Sequence, residues 1–486
     1  MTPKISCDWL TVIFLHEAFD LMPQIKRILK EIREAGAGAN NMVYLIKDAV
    51  SHPRDPHGQQ VNIFRLSVEL LVQDIATGLW SFVPQPEVHI NNKDRSCWKE
   101  AFRYIFNKVE SKRKLLISFS HGAAFGINVD IGEVVRPNKK GEPEAFFQAD
   151  LRSERGMRVT SNPYFYLDEE EVKQIKALPQ WTSLKESDKA LIDEGKVPLT
   201  KGNDFCSKLE LLWISDLADA LHECLGGEKI DLMLMNNCYM QSFDTGYVLR
   251  DRVDYILAPE GSLEAIGYDY RTLLNRINNR PEADVMELAK NVVGDYVNYY
   301  QVRNDTYNLA RQAVFLLSTK SYYEALDLFV QFITILEQHL DGIIGDLTDI
   351  RENKILYVAC NVDQYYQQYL DMIDVFQWIE MVMARCSTLF NGTQFPDAVA
   401  RVKAELVKCG YKGDYLRTWD ETSLMTFGYE GISVFFPLQK DFKDLNPGNP
   451  TPWCVYFGNQ IPSAWEQRWR LFLRRYFALG MNLHLT

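Results

Sequence analysis

The sequence lacks several things whose absence narrows what it can be. It has no uninterrupted run of the ~18 apolar residues that a bilayer-spanning helix requires, so a membrane span is not expected. It has no excess of positive charge: 53 Lys and Arg stand against 65 Asp and Glu, a net charge of −12. Such a chain has no global attraction for nucleic-acid phosphates, and short basic stretches such as Arg136 to Lys140 read as solvated loops. It also lacks a cysteine framework. Nine cysteines, an odd number, are scattered without regular spacing, so at least one thiol is free or pairs between chains. That favours a reducing compartment. Internal repeats, heptads and low-complexity tracts are missing as well. The opening residues M-T-P-K-I-S-C-D-W-L-T-V-I-F-L-H-E hold only a short apolar run, broken by His16 and Glu17, and no small-residue cleavage site. They read as a first core strand and not as a secretion signal, and a cytoplasmic location is expected, with secretion the alternative if a leader has been removed.

What is present is an ordinary globular balance, 47% hydrophobic and 24% charged over 486 residues. The length suits one large α/β core with a second region attached. Trp9 to Leu15 reads as a buried strand. Gln24 to Ala35 has helical spacing, with Ile25, Ile28, Leu29 and Ile32 on one face. Glycines from Gly36 end it, and Met42 to Ile46 reads as the next strand. Strand, helix, strand in that order implies a parallel sheet. Lys114 to Ser120 (K-L-L-I-S-F-S), Ile230 to Met235 (I-D-L-M-L-M) and Asp254 to Ala258 are short and mostly apolar. Central strands covered on both faces look like this. A helix is expected from Leu209 to Leu225. The stretch 130–204 is rich in Lys, Arg, Glu and Pro and reads as an excursion from the sheet. The expected organisation is therefore an α/β domain over 1–275, interrupted by that excursion. A mainly helical region over 276–486 follows, with strand-like Gln312 to Ser318 and Gly431 to Pro437 (G-I-S-V-F-F-P).

Two of these strands end in residues that can do chemistry. The first ends in Ser120-His121-Gly122, the second in Asn236-Asn237-Cys238. In open α/β sheets the ligand crevice lies beyond the carboxyl ends of the strands. A thiolate nucleophile there needs a nearby imidazole to lower its pKa or take its proton, and His121 with Cys238 supplies both groups. The backbone N–H groups of Gly122 and Cys238 can hold a developing oxyanion. The plainer reading is a core cysteine and a structural histidine, which are the commoner fates of both residue types. Other constellations fit less well. Cys206, His222, Cys224 and Cys238 match no common zinc spacing. His16-Glu17 lacks a second His at the fourth position, and the glycines from Gly36 follow a helix, the wrong context for a dinucleotide loop. No EF-hand loop is present.

Read as blocks, these residues resemble the clostripain family of cysteine peptidases, which has a caspase-like fold. Ile230 to Asp251 resembles its nucleophile segment, an apolar strand, then F-D-A-C-L-M, then a helix closing in L-R-D. Cys238 falls on the catalytic Cys of that pattern, Met240 on its Met, and Leu249-Arg250-Asp251 on the helix end. Lys114 to Gly122 resembles L-I-L-W-N-H-G, with His121 on the catalytic His. Trp9 to Leu15 resembles the opening strand, and Gly431 to Pro437 the late G-L-S-I-Y-F-P. The four blocks run in the family's order.

The resemblance implies a caspase-like, mostly parallel α/β sheet and a cysteine endopeptidase acting through Cys238 and His121. It also implies latency relieved by cleavage between these two residues, by self-cleavage or by an activating protease. Polar Lys139-Lys140 and Arg152 to Arg158 offer sites for that cut. The partners expected are a protein or peptide substrate, with neither nucleic acid nor membrane. No cofactor is read from the residues. Relatives are often calcium-dependent, but no calcium site can be located. The chain departs from the pattern where the family carries acids for a basic substrate side chain: Asn236 and Ile266 occupy those positions. Glu260 and Glu264 lie close enough in sequence to replace the charge. A catalytically silent scaffold of the same fold and a Cys-dependent amidase are the rival readings.

Overall fold

In the computed structural model, residues 4–17, 21–51, 63–85, 97–120, 212–261, 267–303, 312–351, 372–413 and 429–436 are described, with shorter pieces and single residues between and beyond them. Among these are Gly122, 126–127 and Leu263, whereas His121, Glu264, Ile266 and nearly all of the 130–204 excursion lie outside the described residues.

The core is a ten-stranded sheet. Its parallel centre is built from β1 (Ile5–Glu17), β2 (Asn41–Ser51), β5 (Val109–Phe119), β8 (Ile230–Asn236) and β9 (Val253–Pro259). Antiparallel edges are added by β3 (Ile63–Gln73) and β4 (Trp80–Pro84) on one side, with the short Ile90–Asn91 pairing β3. On the other side they are added by β10 (Ala313–Ser318) and β12 (Val407–Lys412). The spatial order is β12-β10-β9-β8-β5-β1-β2-β3-β4. From β1 the chain first builds outward through β2, then returns to β1's other side with β5. Two short strands, β6 (Gly126–Ile127) and β7 (Leu212–Trp213), pair antiparallel beside the sheet. Another pair, β11 (Met372–Asp374) and β13 (Ser433–Phe435), forms in the C-terminal region.

Central strands alternate their side chains between two cores, as a period of two requires. Trp9, Ile13 and Leu15 of β1, with Leu115 and Ile117 of β5 and Leu232 and Leu234 of β8, face three helices. These are α1 (Met22–Ala35), α5 (Tyr270–Asn279) and α6 (Val285–Val302). Leu10, Val12 and Phe14, with Leu116, Met233 and Met235, face α2 (Cys97–Lys108) and α3 (Ile214–Leu225). The apolar periodicity of Gln24 to Ala35 is thus explained, since Ile25, Ile28 and Ile32 are all buried against the sheet. A third core lies outside β10. It joins Phe315 and Leu317 to α7 (Tyr322–Asp349), α8 (Val375–Arg385), α9 (Phe395–Leu406) and Trp469.

The strand-like Gln312 to Ser318 is therefore part of the main sheet. Within the late block Ser433–Phe435 is a strand too, but it pairs with β11 and meets the end of the main sheet through the Ser242–Ser433 bridge and the bonds of Ser433 to Gln241 and of Gly431 to Glu260. The expected helix before β8 begins at Ile214, since Leu212–Trp213 pairs with β6 first. No described helix is long and apolar enough to cross a membrane.

Candidate active site

The carboxyl ends of β5 and β8 are adjacent. The two strands pair in parallel up to Phe119 opposite Asn236, and the Ser120 N–H still donates to the Asn236 carbonyl at 3.4 Å. Past that point the pairing is carried by side chains. Ser118 Oγ donates to Asn237 Oδ1, and Asn237 Nδ2 donates to the Ser120 carbonyl at 3.1 Å. Ser118, Ser120 and Asn237 are all buried, so these bonds form out of water, where an unmade one is costly. Asn237 thus stitches the strand end that leads to His121 onto the strand end that leads to Cys238. Sequence reading missed this role. The only signal for it is a pair of serines at alternate positions in an otherwise apolar strand, opposite an Asn.

His121 lies outside the described residues, but its successor in the chain is placed. Gly122 lies flat against the Cys238 peptide: a Cβ there would stand 2.3 Å from the Cys238 carbonyl oxygen and 2.9 Å from Asn237 Cβ. Only glycine allows that approach.

Cys238 itself is half-buried, and its thiol rests on the loop after β9. The Leu263 N–H donates to Cys238 Sγ at 3.3 Å, and the Leu263 carbonyl lies 3.7 Å from the same sulfur. The N–H favours a thiolate, whereas the carbonyl accepts only from the protonated thiol. The next residue, Tyr239, has φ 62°, the single positive φ of a non-glycine among the described residues. A bulky side chain in that conformation costs on the order of 1–3 kcal/mol and is held only by its surroundings. Here those are the Tyr239 N–H donating to the Gly261 carbonyl at 2.8 Å and a ring buried in the third core. The chain then turns into α4 (Phe243–Leu249), capped by Ser242 Oγ accepting from the Thr245 N–H at 3.1 Å. The helix ends at Leu249 with Arg250 as its cap, where the L-R-D motif stands.

The residues considered for substrate recognition are placed as follows. Asn236 is buried, donates through Nδ2 to the Tyr270 hydroxyl at 2.9 Å, and packs on Gly267, where a Cβ would fall 2.1 Å from that nitrogen. Behind it Tyr268, Tyr270, Tyr296 and Tyr300 are fully buried, and burial holds the hydroxyls of Tyr268 and Tyr270 above their usual pKa and therefore neutral. Glu260 lies in the interior beside the C-terminal region. It is fully buried, and its Oε2 accepts from the Gly431 N–H at 2.9 Å. Ile266 and Glu264 lie outside the described residues. Among the described residues no group of three or more His, Cys, Asp or Glu is arranged to hold a metal ion.

A model of the clostripain family matches residues 187–403, the part of the chain that carries Cys238. Residues 187–403 are thus similar to the clostripain family. The blocks Trp9 to Leu15, Lys114 to Gly122 and Gly431 to Pro437 lie outside the matched range. Solved structures extend the likeness in fold beyond both ends of the matched residues. An inactive zymogen C11 protease from Parabacteroides distasonis superposes with a TM-score of 0.52 at 13% identity, covering 93% of this chain and 99% of that one. A secreted C11 cysteine protease from Bacteroides thetaiotaomicron, solved with an irreversible peptide inhibitor, superposes with a TM-score of 0.52 at 14% identity, covering 98% and 99%. Another structure of a secreted C11 cysteine protease from the same organism, titled "iotapain", gives 0.53 at 10% identity over 96% and 99%. At these identities the superpositions establish the shared fold: a large, mostly parallel sheet flanked by helices. No curated protein sequence matches the chain.

Proposed function

We propose that this chain is a cysteine endopeptidase in which Cys238 attacks a peptide carbonyl and His121 serves as its proton partner. The observation that carries this reading is Gly122, the residue next to His121, packed against the Cys238 peptide at the carboxyl ends of two adjacent parallel strands. In this reading Cys238 Sγ gives its proton to His121 and forms a tetrahedral adduct, whose oxyanion is met by the backbone N–H groups of Gly122 and Cys238. Collapse expels the amine, protonated by His121, and leaves a thioester. Water, activated by the same histidine, then releases the acid.

In the form described, both the N–H and the carbonyl of Leu263 engage the Cys238 sulfur, so the loop after β9 occupies the nucleophile. That supports a latent form, made active by a cut in the excursion between His121 and Cys238. The substrate side chain before the cut is expected to be neutral. A site selecting Arg or Lys needs a negative charge to offset desolvation. Here Asn236 offers an amide, its neighbours are neutral tyrosines, and Glu260 is sealed in the interior. A peptide-library digest tests both statements at once. Cleavage after neutral residues, lost in Cys238→Ala and in His121→Ala, is the expected result. Activity that survives Cys238→Ala rejects the nucleophile, and strict cleavage after Arg or Lys rejects the neutral pocket.

A further inference from the structure

Two carboxyl groups are buried together where the loop after β9 meets the C-terminal region. Glu260 and Asp374 are both 0% exposed. Asp374 caps α8: its Oδ1 accepts from the Gln377 N–H at 2.7 Å, and its Oδ2 from the Glu430 and Ile432 N–H groups at 3.0 and 3.3 Å. Glu260 Oε2 accepts at 2.9 Å from the N–H of Gly431, the residue between the two whose N–H groups Asp374 Oδ2 takes, so one backbone segment sets the two buried carboxyls in contact. Ionised carboxylates are acceptors only, so this contact is a bond only if a proton lies between them. Three backbone donors favour the ionised form of Asp374, while Glu260 has one, which leaves the proton on Glu260. Burial, and Asp374 opposite, push the Glu260 carboxyl well above the usual carboxylate range.

The other ionisable groups around the pair do not change this assignment. Glu430 also acts on Glu260, and it is compensated by Lys403 at 2.9 Å and Lys412 at 2.6 Å. The Tyr429 hydroxyl is buried against Gly261.

The place of the pair gives it a function. From Glu260 the chain runs directly to the residues that touch the nucleophile. The Glu260 N–H donates to the Ala313 carbonyl of β10, the Gly261 carbonyl takes the Tyr239 N–H, and Leu263 lies on Cys238 Sγ. Asp374, Gly431 and Ile432 belong to the C-terminal region. We propose that Glu260 and Asp374 share one proton and act as a positioning pair, through which the C-terminal region fixes the 260–263 loop and with it the setting of Cys238. The proposal rests on Cys238 as the nucleophile.

Its pH consequence has a definite sign. Above the usual carboxylate range the folded chain keeps a proton on Glu260 that the unfolded chain has lost. Stability then falls as pH rises from that range toward the raised value, and levels off beyond it.

Glu260→Gln reproduces the protonated acid without titrating, with an amide N–H for Asp374 and a carbonyl for the Gly431 N–H. In the full chain its melting temperature should gain on wild type as pH rises. Its rate of Cys238 alkylation by iodoacetamide, read by mass spectrometry, should match wild type near neutral pH and persist to higher pH. Glu260→Ala should change that alkylation profile and lower kcat/KM by on the order of 100-fold, the cost of a displaced nucleophile. A melting difference between Gln and wild type that does not vary with pH, or a Gln variant as defective as Ala, overturns the proposal. If the Ala variant does not fold, the Gln comparison alone decides. Melting and alkylation need no turnover, so a chain that cleaves no peptide would refute the peptidase reading and still leave the pair to be judged.

Discussion

Glycine 122 owes its identity to another residue's backbone. The atom a side chain would meet is the Cys238 carbonyl oxygen, 2.3 Å from an ideal Cβ, and a peptide at the end of a central strand cannot step aside. Gly122→Ala must therefore push the segment at 121–122 away from Cys238. Catalytic geometry is sensitive at this scale: about 1 Å of misplacement can cost on the order of 100-fold in rate. The fold should lose no more than overpacking typically costs, about 1–3 kcal/mol. Measured kcat/KM should thus fall by on the order of 100-fold while the thermal transition stays cooperative and Cys238 stays reactive to alkylation. A variant with wild-type turnover would show that Gly122 does not border the reacting centre. Residue by residue, the meeting of the two strand ends was legible in the sequence, and the structure sets Gly122 against Cys238 there. It was not legible at Asn237, because an Asn beside an Asn before a Cys reads equally well as a solvated turn. Nor was it legible at Asp374, whose partnership with Glu260 spans 114 positions and leaves no local pattern.

Among the elements, the central strands announced themselves. A strand covered on both faces reads as a near-continuous apolar run, and Leu232 to Met235 are all buried. The edges were harder to read. Ile63–Gln73 mixes Arg, Ser and Glu into its apolar positions, and Val407–Lys412 (V-K-C-G-Y-K) carries two lysines and a glycine. What makes the latter a strand is tertiary. Gly410 sits opposite Phe315 in the ladder, and a Cβ on it would fall 2.1 Å from Phe315 Cδ1. The ring of Phe315 occupies the space that a side chain at 410 would need, next to the register shift between Leu316 and Leu317. Gly410→Ala should therefore destabilise by about 1–3 kcal/mol, although alanine suits a strand no worse than glycine by propensity. Removing the ring should relieve the clash. In a cycle of Gly410→Ala, Phe315→Leu and the double variant, denaturant unfolding should show a favourable coupling of at least ~0.5 kcal/mol. Strict additivity would mean that the glycine is there for backbone reasons alone.

For the whole molecule, the topology decides what a cut between His121 and Cys238 does. The excursion leaves the core after β6 and returns at β7, and these two strands pair with each other, Ile127 opposite Leu212 and Gly126 opposite Trp213. Its two ends are thus held together, and a break between them opens no element of the main sheet. The residues before it supply β1 to β5 and the residues after it supply β8, β9, β10 and β12. Those two halves meet along the parallel pairing of β5 with β8, inside both of the sheet's cores. Strands buried on both faces expose extensive apolar surface if separated, at roughly 25 cal/mol per Å². Limited proteolysis at Lys139-Lys140 or within Arg152 to Arg158 should therefore yield two fragments on a denaturing gel that still elute as one particle of unchanged size in gel filtration. If the chain is latent, peptidase activity should rise with the appearance of those fragments, and the Cys238 alkylation rate should rise with it as Leu263 releases the Cys238 sulfur. Fragments that separate under native conditions would contradict the β5–β8 pairing as the seam. Intact particles whose activity does not change on cutting would leave the seam standing and remove the latency.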